Sequence, residues 1–175
     1  MDYLHTDILR LILRLLDRKT AALCRFVCLK WRKTIKPMTL VNCEDYVDNL
    51  KLLKWARSVK CPWGYRLYMY AVDNNNLDTV MWITENNYRA QPKDDLLITA
   101  IEHGNLEMVK YLIKLNCKCD IKCYFAAYYG QLHILQYLRS ENYPWNVYVI
   151  LAAQELGHSH IVTWAIENGC PQPTE

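Results

Sequence analysis

A helical pattern that returns at a nearly constant interval is the feature that most restricts what this chain can fold into. The stretch GNLEMVKYLIKLNC at residues 104–117 has apolar residues at the spacing of an amphipathic helix. The pattern returns as GQLHILQYLRSENY from residue 130 and as GHSHIVTWAIENGC from residue 157. Its marker positions are Leu50, Leu77, Leu106, Leu132 and Ser159, which are 27, 29, 26 and 27 residues apart. This period predicts a stack of helical units, because one unit cannot bury its apolar face alone.

Each unit is predicted to contain a short helix, a turn and a longer helix. The turns fall at Asn75, Gly104, Gly130 and Gly157. A small residue stands four positions before each turn and lets neighbouring helices approach closely: Ala71, Ala100, Ala126 and Ala153. The longer helices are predicted to end at residue types that tolerate a left-handed backbone, namely Asn87, Asn116, Asn142 and Gly169.

Composition excludes several classes of protein. Apolar residues make up 52% of the 175 residues and charged residues 22%, so a packed core is expected and disorder is not. No apolar run is long enough to span a membrane. Arg10, Arg14 and Asp17 interrupt the N-terminal apolar segment, which therefore lacks the layout of a signal peptide. We expect a cytoplasmic protein with no membrane partner, and a nuclear location stays open.

The eight cysteines are expected to be reduced thiols in such a compartment. Cys117, Cys119 and Cys123 form a C-x-C-x-x-x-C cluster with His133 downstream. Zinc sites usually show paired C-x₂₋₄-C spacings, and a fourth ligand is not clearly placed here. Small apolar packing is the favoured interpretation of these cysteines. We predict no metal and no cofactor.

The repeat resembles the ankyrin repeat. GHSHIVTWAIENGC matches the second half of that repeat almost position by position, and FAAYYG at residues 125–130 matches the end of its first helix. The period is shorter than the usual length of about 33 residues, and the T-P-L-H opening is absent. Short units with the ends CPWG and YPWN are similar to ankyrin proteins of large DNA viruses and their protist hosts, which would place a viral member in the host cytoplasm.

The ankyrin resemblance implies an all-α solenoid that binds a protein on its first-helix face. It covers a half unit at about residues 41–63 and units at about 64–92, 93–119, 120–146 and 147–175. The whole array is assigned residues 38–175. Its twelve Lys/Arg and fifteen Asp/Glu give it a net charge of −3, so no nucleic-acid partner is predicted.

Residues 1–37 do not fit the repeat and carry nine Lys/Arg against three Asp/Glu. Seven of the nine residues between Ile8 and Leu16 are apolar. A helix that is apolar nearly all round must be covered nearly all round, and about 35 residues cannot do this by themselves. The first repeat, a membrane surface or another protein could supply the cover, although Arg10 and Arg14 alone do not make the broad polar face of an interfacial helix.

The same residues resemble the F-box motif. Positions that match it without a gap are Leu4, Asp7, Ile8, Leu9, Ile12, Leu13, Leu16, Asp17, Lys19, Val27, Trp31 and Arg32. His5 stands in place of the usual proline and Ala21 in place of the usual leucine. The resemblance implies docking on a Skp-type adaptor of a cullin–RING ubiquitin ligase through Leu4, Ile8, Leu9, Leu16, Val27 and Trp31.

Aromatic residues near the turns are the candidates for contact with an unknown protein target. Tyr128 and Tyr129 adjoin a turn, and Trp145 follows a proline at a helix end. Tyrosine and tryptophan are typical interface anchors, although Trp63 and Trp145 could equally be packing wedges between units. No conventional catalytic constellation stands out, so no catalytic residues and no enzyme activity are predicted.

The leading hypothesis is a substrate receptor, monomeric outside its complex, that recruits a target to a ubiquitin ligase. The competing hypothesis is a plain ankyrin scaffold or competitor whose N-terminal helices only cap the array. The exposure of Ile8, Leu9, Val27 and Trp31 in the free protein distinguishes the two.

Overall fold

The computed structural model describes residues 8, 11–12, 15–16, 20, 43–58, 60–64, 66–86, 94–117 and 119–173. Over these residues the regular structure is helical and contains no β-strand, which confirms the predicted all-α fold. A 3-10 helix occupies Cys43–Tyr46, and the α-helices are α1 (Leu50–Ser58), α2 (Leu67–Asp73), α3 (Leu77–Glu85), α4 (Asp94–Glu102), α5 (Leu106–Lys114), α6 (Lys122–Tyr128), α7 (Leu132–Ser140), α8 (Val147–Glu155) and α9 (Ser159–Glu167). None of the helices described here has the length and apolarity that a membrane crossing requires.

The chain divides into two units, residues 1–70 and 71–175. In the first unit the 3-10 helix packs against α1, and the amide of Cys43 donates to the carbonyl of Pro62 at 2.9 Å. Leu53 and Ala56 of α1 are buried together with Cys43 and Tyr46. The side chain of Asn49 accepts hydrogen bonds at the start of α1, as asparagine often does at a helix N-terminus.

In the second unit the helices form stacked pairs. Helix α4 packs on α5, α6 on α7 and α8 on α9, while α6 also contacts both α4 and α8. The first helices of the pairs therefore make one continuous row. The second helices supply buried apolar residues at the spacing of an amphipathic helix, among them Val109, Leu112, Leu135 and Leu138.

The turn within each pair closes in the same way. Asn75, Gly104, Gly130 and Gly157 all have positive φ angles, between 53° and 75°. The amide of the next residue donates to the carbonyl of the predicted small residue, as from Gln131 to Ala126 and from His158 to Ala153, both at 2.8 Å. The four alanines are fully buried: Ala71, Ala100, Ala126 and Ala153. Their burial agrees with the prediction that small residues lie where neighbouring helices approach each other.

The second helices end in the predicted left-handed conformation. Asn116, Asn142 and Gly169 have φ angles of 65°, 62° and 80°, and Asn87 lies outside the described residues. Lys60 takes the same conformation after α1, with φ 62°. In each case the next amide donates to a carbonyl five residues earlier, as from Cys170 to Ala165 at 2.9 Å, which satisfies a carbonyl at the end of the helix.

Side chains after the turns tie successive pairs together. Nε2 of Gln131 donates to the carbonyl of Glu102 at 3.1 Å, and Nε2 of His158 lies 3.1 Å from the carbonyl oxygen of Tyr128. The accepting carbonyl belongs in both cases to the residue two before the turn glycine. The side-chain amide of Asn105 likewise donates from Nδ2 to Oδ1 of Asn75. We call these contacts, each of which joins one repeat of the array to the next, the inter-unit ties.

Candidate protein-binding surface

Four apolar residues form a stripe in the first unit. Ile8, Leu11, Ile12 and Leu15 are all helical, and their spacing of three, one and three residues places them on one face of a helix. All four side chains are exposed, Ile8 by 51% and Leu15 by 87%. We call these four residues the N-terminal stripe. An apolar helix face left in water is a candidate contact for another protein.

The structure places two of the six predicted adaptor-binding residues. Ile8 is exposed and belongs to the N-terminal stripe, whereas Leu16 is half-buried at a bend after the helical residues. Leu4, Leu9, Val27 and Trp31 lie outside the described residues. The assignment of these six residues to adaptor binding stays a prediction.

An aromatic cluster covers one side of α6. The rings of Tyr124 and Tyr128 stack with centroids 5.9 Å apart, and those of Phe125 and Tyr129 stack at 6.2 Å. Tyr128 and Tyr129 meet edge to face at 5.1 Å. Tyr128 is exposed, whereas Tyr129 is half-buried. The structure therefore brings these two predicted target-binding residues together, and offers Tyr128 as the more accessible ring.

Tyr129 feels the charge of the preceding first helix. Burial raises the pKa of Tyr129, and the negative charge of Glu102 on α4 raises it further. The Tyr129 hydroxyl therefore keeps its proton and can donate a hydrogen bond.

The first helices present one surface along their row. On each helix, three residues spaced three and four apart share a face: Asp95, Ile98 and Glu102 on α4, Ile121, Tyr124 and Tyr128 at α6, and Tyr148, Leu151 and Glu155 on α8. All nine are exposed or half-buried. Because α6 contacts α4 and α8, the three sets adjoin. We call these nine residues the first-helix surface.

Trp145, the third predicted target-binding residue, lies beside this surface. It is half-buried, with the guanidinium of Arg139 4.4 Å from its ring centroid and the ring of Trp164 5.8 Å away edge to face. Arg139 also donates to the carbonyl of Tyr143. These contacts make Trp145 a packing wedge between α7 and α9, and its role in target binding stays a prediction.

The same arrangement occurs at the end of α1. Arg57 donates to the carbonyl of Cys61 and lies 4.1 Å from the ring centroid of Trp63. Both sites share the sequence R-S-x-x-x-P-W, at residues 57–63 and 139–145. We call this the Arg–Trp clasp. The two copies of this sequence therefore adopt the same local arrangement.

Histidines and cysteines are used for packing and hydrogen bonding. Nε2 of His133 lies 3.0 Å from the carbonyl oxygen of Gly104, and His158 makes the tie to the carbonyl of Tyr128 described above. Cys117, Cys119 and Cys123 are buried, and burial raises the pKa of Cys123 to about 11. In the part of the chain described, no group of three or more His, Cys, Asp or Glu residues is placed to hold a metal ion.

Stacked helix pairs with an exposed row of first helices define a helical-repeat protein that works through its surface. Comparison with protein families identifies the modules. The F-box domain model matches residues 1–41, and the model for ankyrin repeats (3 copies) matches residues 38–123. The chain thus joins an F-box domain to ankyrin repeats, both of which are typically non-catalytic interaction modules. No curated protein and no solved structure matches the chain.

The matches bear unevenly on the predicted boundaries. The two models overlap at residues 38–41, and residues 124–175 lie beyond the ankyrin match. In the structure, helices α6 to α9 nevertheless continue the same pairing. The division at residues 37 and 38 and the unit limits stay predictions.

Sequence reasoning missed three sets of residues that the structure adds to the candidate surfaces and their supports. Leu11 and Leu15 belong to the N-terminal stripe, and the spacing of residues 8, 11, 12 and 15 was the available signal. Ile121 and Tyr148 are exposed on the first-helix surface, and no sequence signal separates them from core residues. Arg57 and Arg139 could have been found from the repeated R-S-x-x-x-P-W sequence.

Proposed function

We propose that this protein is the substrate receptor of a Skp–cullin–RING ubiquitin ligase. The F-box domain would recruit a Skp-type adaptor, and the ankyrin repeats would hold the target protein. The observation that carries the proposal is the combination of an F-box match at residues 1–41 with an ankyrin match that begins at residue 38. An F-box domain and a set of ankyrin repeats thus follow each other directly in one chain.

The N-terminal stripe supports the first half of the proposal. Ile8, Leu11 and Leu15 leave apolar surface in water in the free chain, and covering such surface by a partner is favourable by about 25 cal/mol per Å². The docking face would combine this stripe with the residues implied by the motif: Leu4, Ile8, Leu9, Leu16, Val27 and Trp31. In the sequence, Leu9 and Leu16 each follow a stripe residue by one position.

The mechanism would rest on effective concentration. Holding a target next to the ligase core converts the encounter with the ubiquitin-carrying subunit into an intramolecular event. The chain itself would make and break no covalent bond. It would contribute a contact with the adaptor and a contact with the target, and so hold the two near each other.

The test is co-expression of the full chain with a Skp-type adaptor, followed by size-exclusion chromatography. Two variants probe the docking face: Val27→Asp/Trp31→Ala and Leu11→Asp/Leu15→Asp. The second variant changes residues that are already exposed, so its fold should be unaffected. Ile166→Asp is the matched control, because Ile166 is an exposed apolar residue of α9, in the other unit.

We expect the wild type and Ile166→Asp to co-elute with the adaptor and both docking-face variants to elute alone. Circular dichroism should show the same helix content in all four proteins. A well-folded wild type that forms no complex would contradict the proposal and leave an ankyrin scaffold with an N-terminal cap. Equal co-elution of both docking-face variants would place the adaptor contact elsewhere.

A further inference from the structure

We propose that the first-helix surface binds a basic, amphipathic segment of the target protein. The inference rests on the proposed function only in that the ankyrin repeats hold a protein target. Its evidence is the distribution of charge, exposed apolar groups and one cleft over the first helices. Each can be followed on the described residues of the second unit.

Negative charge is concentrated on the first helices. Helices α4, α6 and α8 contain four carboxylates, Asp94, Asp95, Glu102 and Glu155, and one cation, Lys122, hence a net charge of −3. The second helices of this unit, α3, α5, α7 and α9, contain four carboxylates and three cations, hence a net charge of only −1. The acidic bias is therefore larger on the row that carries the first-helix surface.

The single cation on these first helices does not serve the surface. Lys122 is buried, and its Nζ donates to the carbonyl of Cys119 at 2.6 Å. The same ammonium group lies 4.6 Å from the ring centroid of Tyr143. Since Lys122 is engaged inside the unit, the exposed charges contributed by α4, α6 and α8 are carboxylates.

Apolar and acidic groups alternate across this surface. Tyr128 occupies the position two residues before its turn, and the equivalent positions on the flanking helices are Glu102 and Glu155. Ile121 and Tyr148, exposed by 53% and 60%, lie two helical turns away on the same face. A ligand that matches this pattern needs cationic side chains for the carboxylates and apolar side chains for the rest.

A cleft beside the surface has the chemistry of a site for one lysine or arginine side chain. It has a volume of about 180 Å³ and is lined by Tyr124, Trp145, Val149 and Asp120, among others. Of the residues described around the cleft, Asp120 is the one that carries a charge. The apolar stem of a basic side chain would lie against the aromatic rings while its charge reaches Asp120.

Charge also argues against other classes of ligand. A row of carboxylates repels the phosphates of nucleic acids and of anionic lipid surfaces. It equally repels acidic peptides. A basic polypeptide segment is the occupant that gains from both the charges and the exposed apolar groups.

The probe is a phage-displayed library of random peptides, selected on the immobilised full-length chain. A length of about twelve residues is sufficient, because an extended chain covers about 3.3 Å per residue and packed helices lie about 10 Å apart. The test variant neutralises three carboxylates: Asp120→Asn, Glu102→Gln and Glu155→Gln. The control variant neutralises three exposed carboxylates on second helices: Asp78→Asn, Glu107→Gln and Glu167→Gln.

We expect the selected peptides to be enriched in lysine or arginine next to leucine, isoleucine or aromatic residues. Fluorescence anisotropy should then show binding at least about tenfold weaker for the test variant, unchanged binding for the control variant, and a clear loss of affinity with Tyr128→Ala. Weakening by salt should accompany the charge contribution. Circular dichroism of each variant checks that the helices are intact.

Several results would overturn the inference: no enrichment, enrichment of acidic or uncharged peptides, or equal losses in the test and control variants. Adaptor co-elution is measured on the same proteins and separates this result from the ligase proposal. If the adaptor binds and the basic peptides do not, only the inference on the target is wrong. If the peptides bind and the adaptor does not, the surface stands and the ligase proposal is wrong.

Discussion

Arg139 lies over the indole ring of Trp145, and the same guanidinium donates to the carbonyl of Tyr143, three residues after the end of helix α7. One side chain thereby satisfies a carbonyl beyond the helix end and covers the aromatic residue that follows the proline. Arg57 repeats this relationship with Trp63 and the carbonyl of Cys61. The Arg–Trp clasp thus ties a second helix to the segment that leads to the next first helix.

Removing the arginine of the Arg–Trp clasp is expected to lower the stability of the folded chain. Arg139→Ala should lower the free energy of unfolding by about 1–3 kcal/mol, because it loses a charge-assisted hydrogen bond and a cation–π contact. Urea unfolding followed by circular dichroism, fitted with a nearest-neighbour scheme for repeat proteins, measures this change. Lys114→Ala is the control, since Lys114 is an exposed cation in the last turn of α5. Equal losses in both variants would contradict a specific role for the clasp.

The turn glycines offer a matched pair for testing the inter-unit ties. Gly130 and Gly157 have nearly equal φ angles, 75° and 74°, so an alanine would suffer the same backbone strain of about 1–2 kcal/mol at either. A Cβ at Gly130 would lie 2.8 Å from Cε1 of His158, whereas a Cβ at Gly157 would meet nothing within 4 Å. Gly130→Ala must therefore also displace His158 from the carbonyl of Tyr128.

We expect Gly130→Ala to be less stable than Gly157→Ala by about 0.5–1.5 kcal/mol, the net contribution of such a hydrogen bond. Thermal and urea unfolding of the two variants give the difference directly. His158→Ala in the Gly130→Ala background should then cost little more. Identical stabilities of the two glycine variants would show that the tie contributes nothing.

The repeat was predictable because its signal is backbone geometry, which local sequence encodes. Gly104 and Asn116 tolerate positive φ angles, and Ala126 has the small side chain that a close helix contact requires, so turns and caps could be placed from residue types alone. Contacts between residues that are far apart in the sequence could not be predicted in this way. Whether Tyr148 faces water or a neighbour depends on where the adjacent helix lies, which periodicity within one helix does not determine. The hydrogen-bond and ring partners of Arg139 likewise depend on the path that the chain takes after α7.

Cys61 is predicted to be the most reactive of the six described cysteines. A hydrogen bond from the Cys43 thiol lowers the pKa of Cys61, and the charge of Arg57 lowers it further. Cys61 is also half-buried, whereas the other five are buried. Brief treatment of the folded chain with iodoacetamide, followed by peptide mass spectrometry, should show Cys61 modified first, because the thiolate is the reacting form.

Arg57→Ala should slow this modification, and Arg139→Ala should leave it unchanged, since Arg139 belongs to the other copy of the clasp. Faster modification of Cys123 than of Cys61 would contradict the prediction. The same would hold if all six cysteines reacted only after addition of urea.

Cys123 predicts a dependence of stability on alkaline pH. Burial raises its pKa from the ordinary value of 9.0 to about 11 in the folded chain, so above pH 9.0 the unfolded chain releases this proton and the folded chain keeps it. The unfolded state is thereby favoured. The contribution is absent below pH 9.0, and it lowers stability progressively as the pH rises toward about 11.

The variant Cys123→Ala isolates this effect from other groups that titrate at high pH. Urea unfolding of wild type and variant, measured from pH 7 upward, should give parallel stability profiles below pH 9.0 and diverging profiles above it, with the wild type falling more steeply. Profiles that stay parallel throughout would mean that Cys123 has the same pKa in both states.

The inter-unit ties join each pair of helices to the adjacent pair, as from His158 to Tyr128 and from Gln131 to Glu102. Under mechanical tension applied to the C-terminal end, the array should therefore unfold stepwise, one repeat at a time. A released unit of 27 residues would lengthen the chain by roughly 95 Å. A target bound across two repeats would add its contacts to the hydrogen bonds between them. It would therefore raise the force at which those two repeats separate.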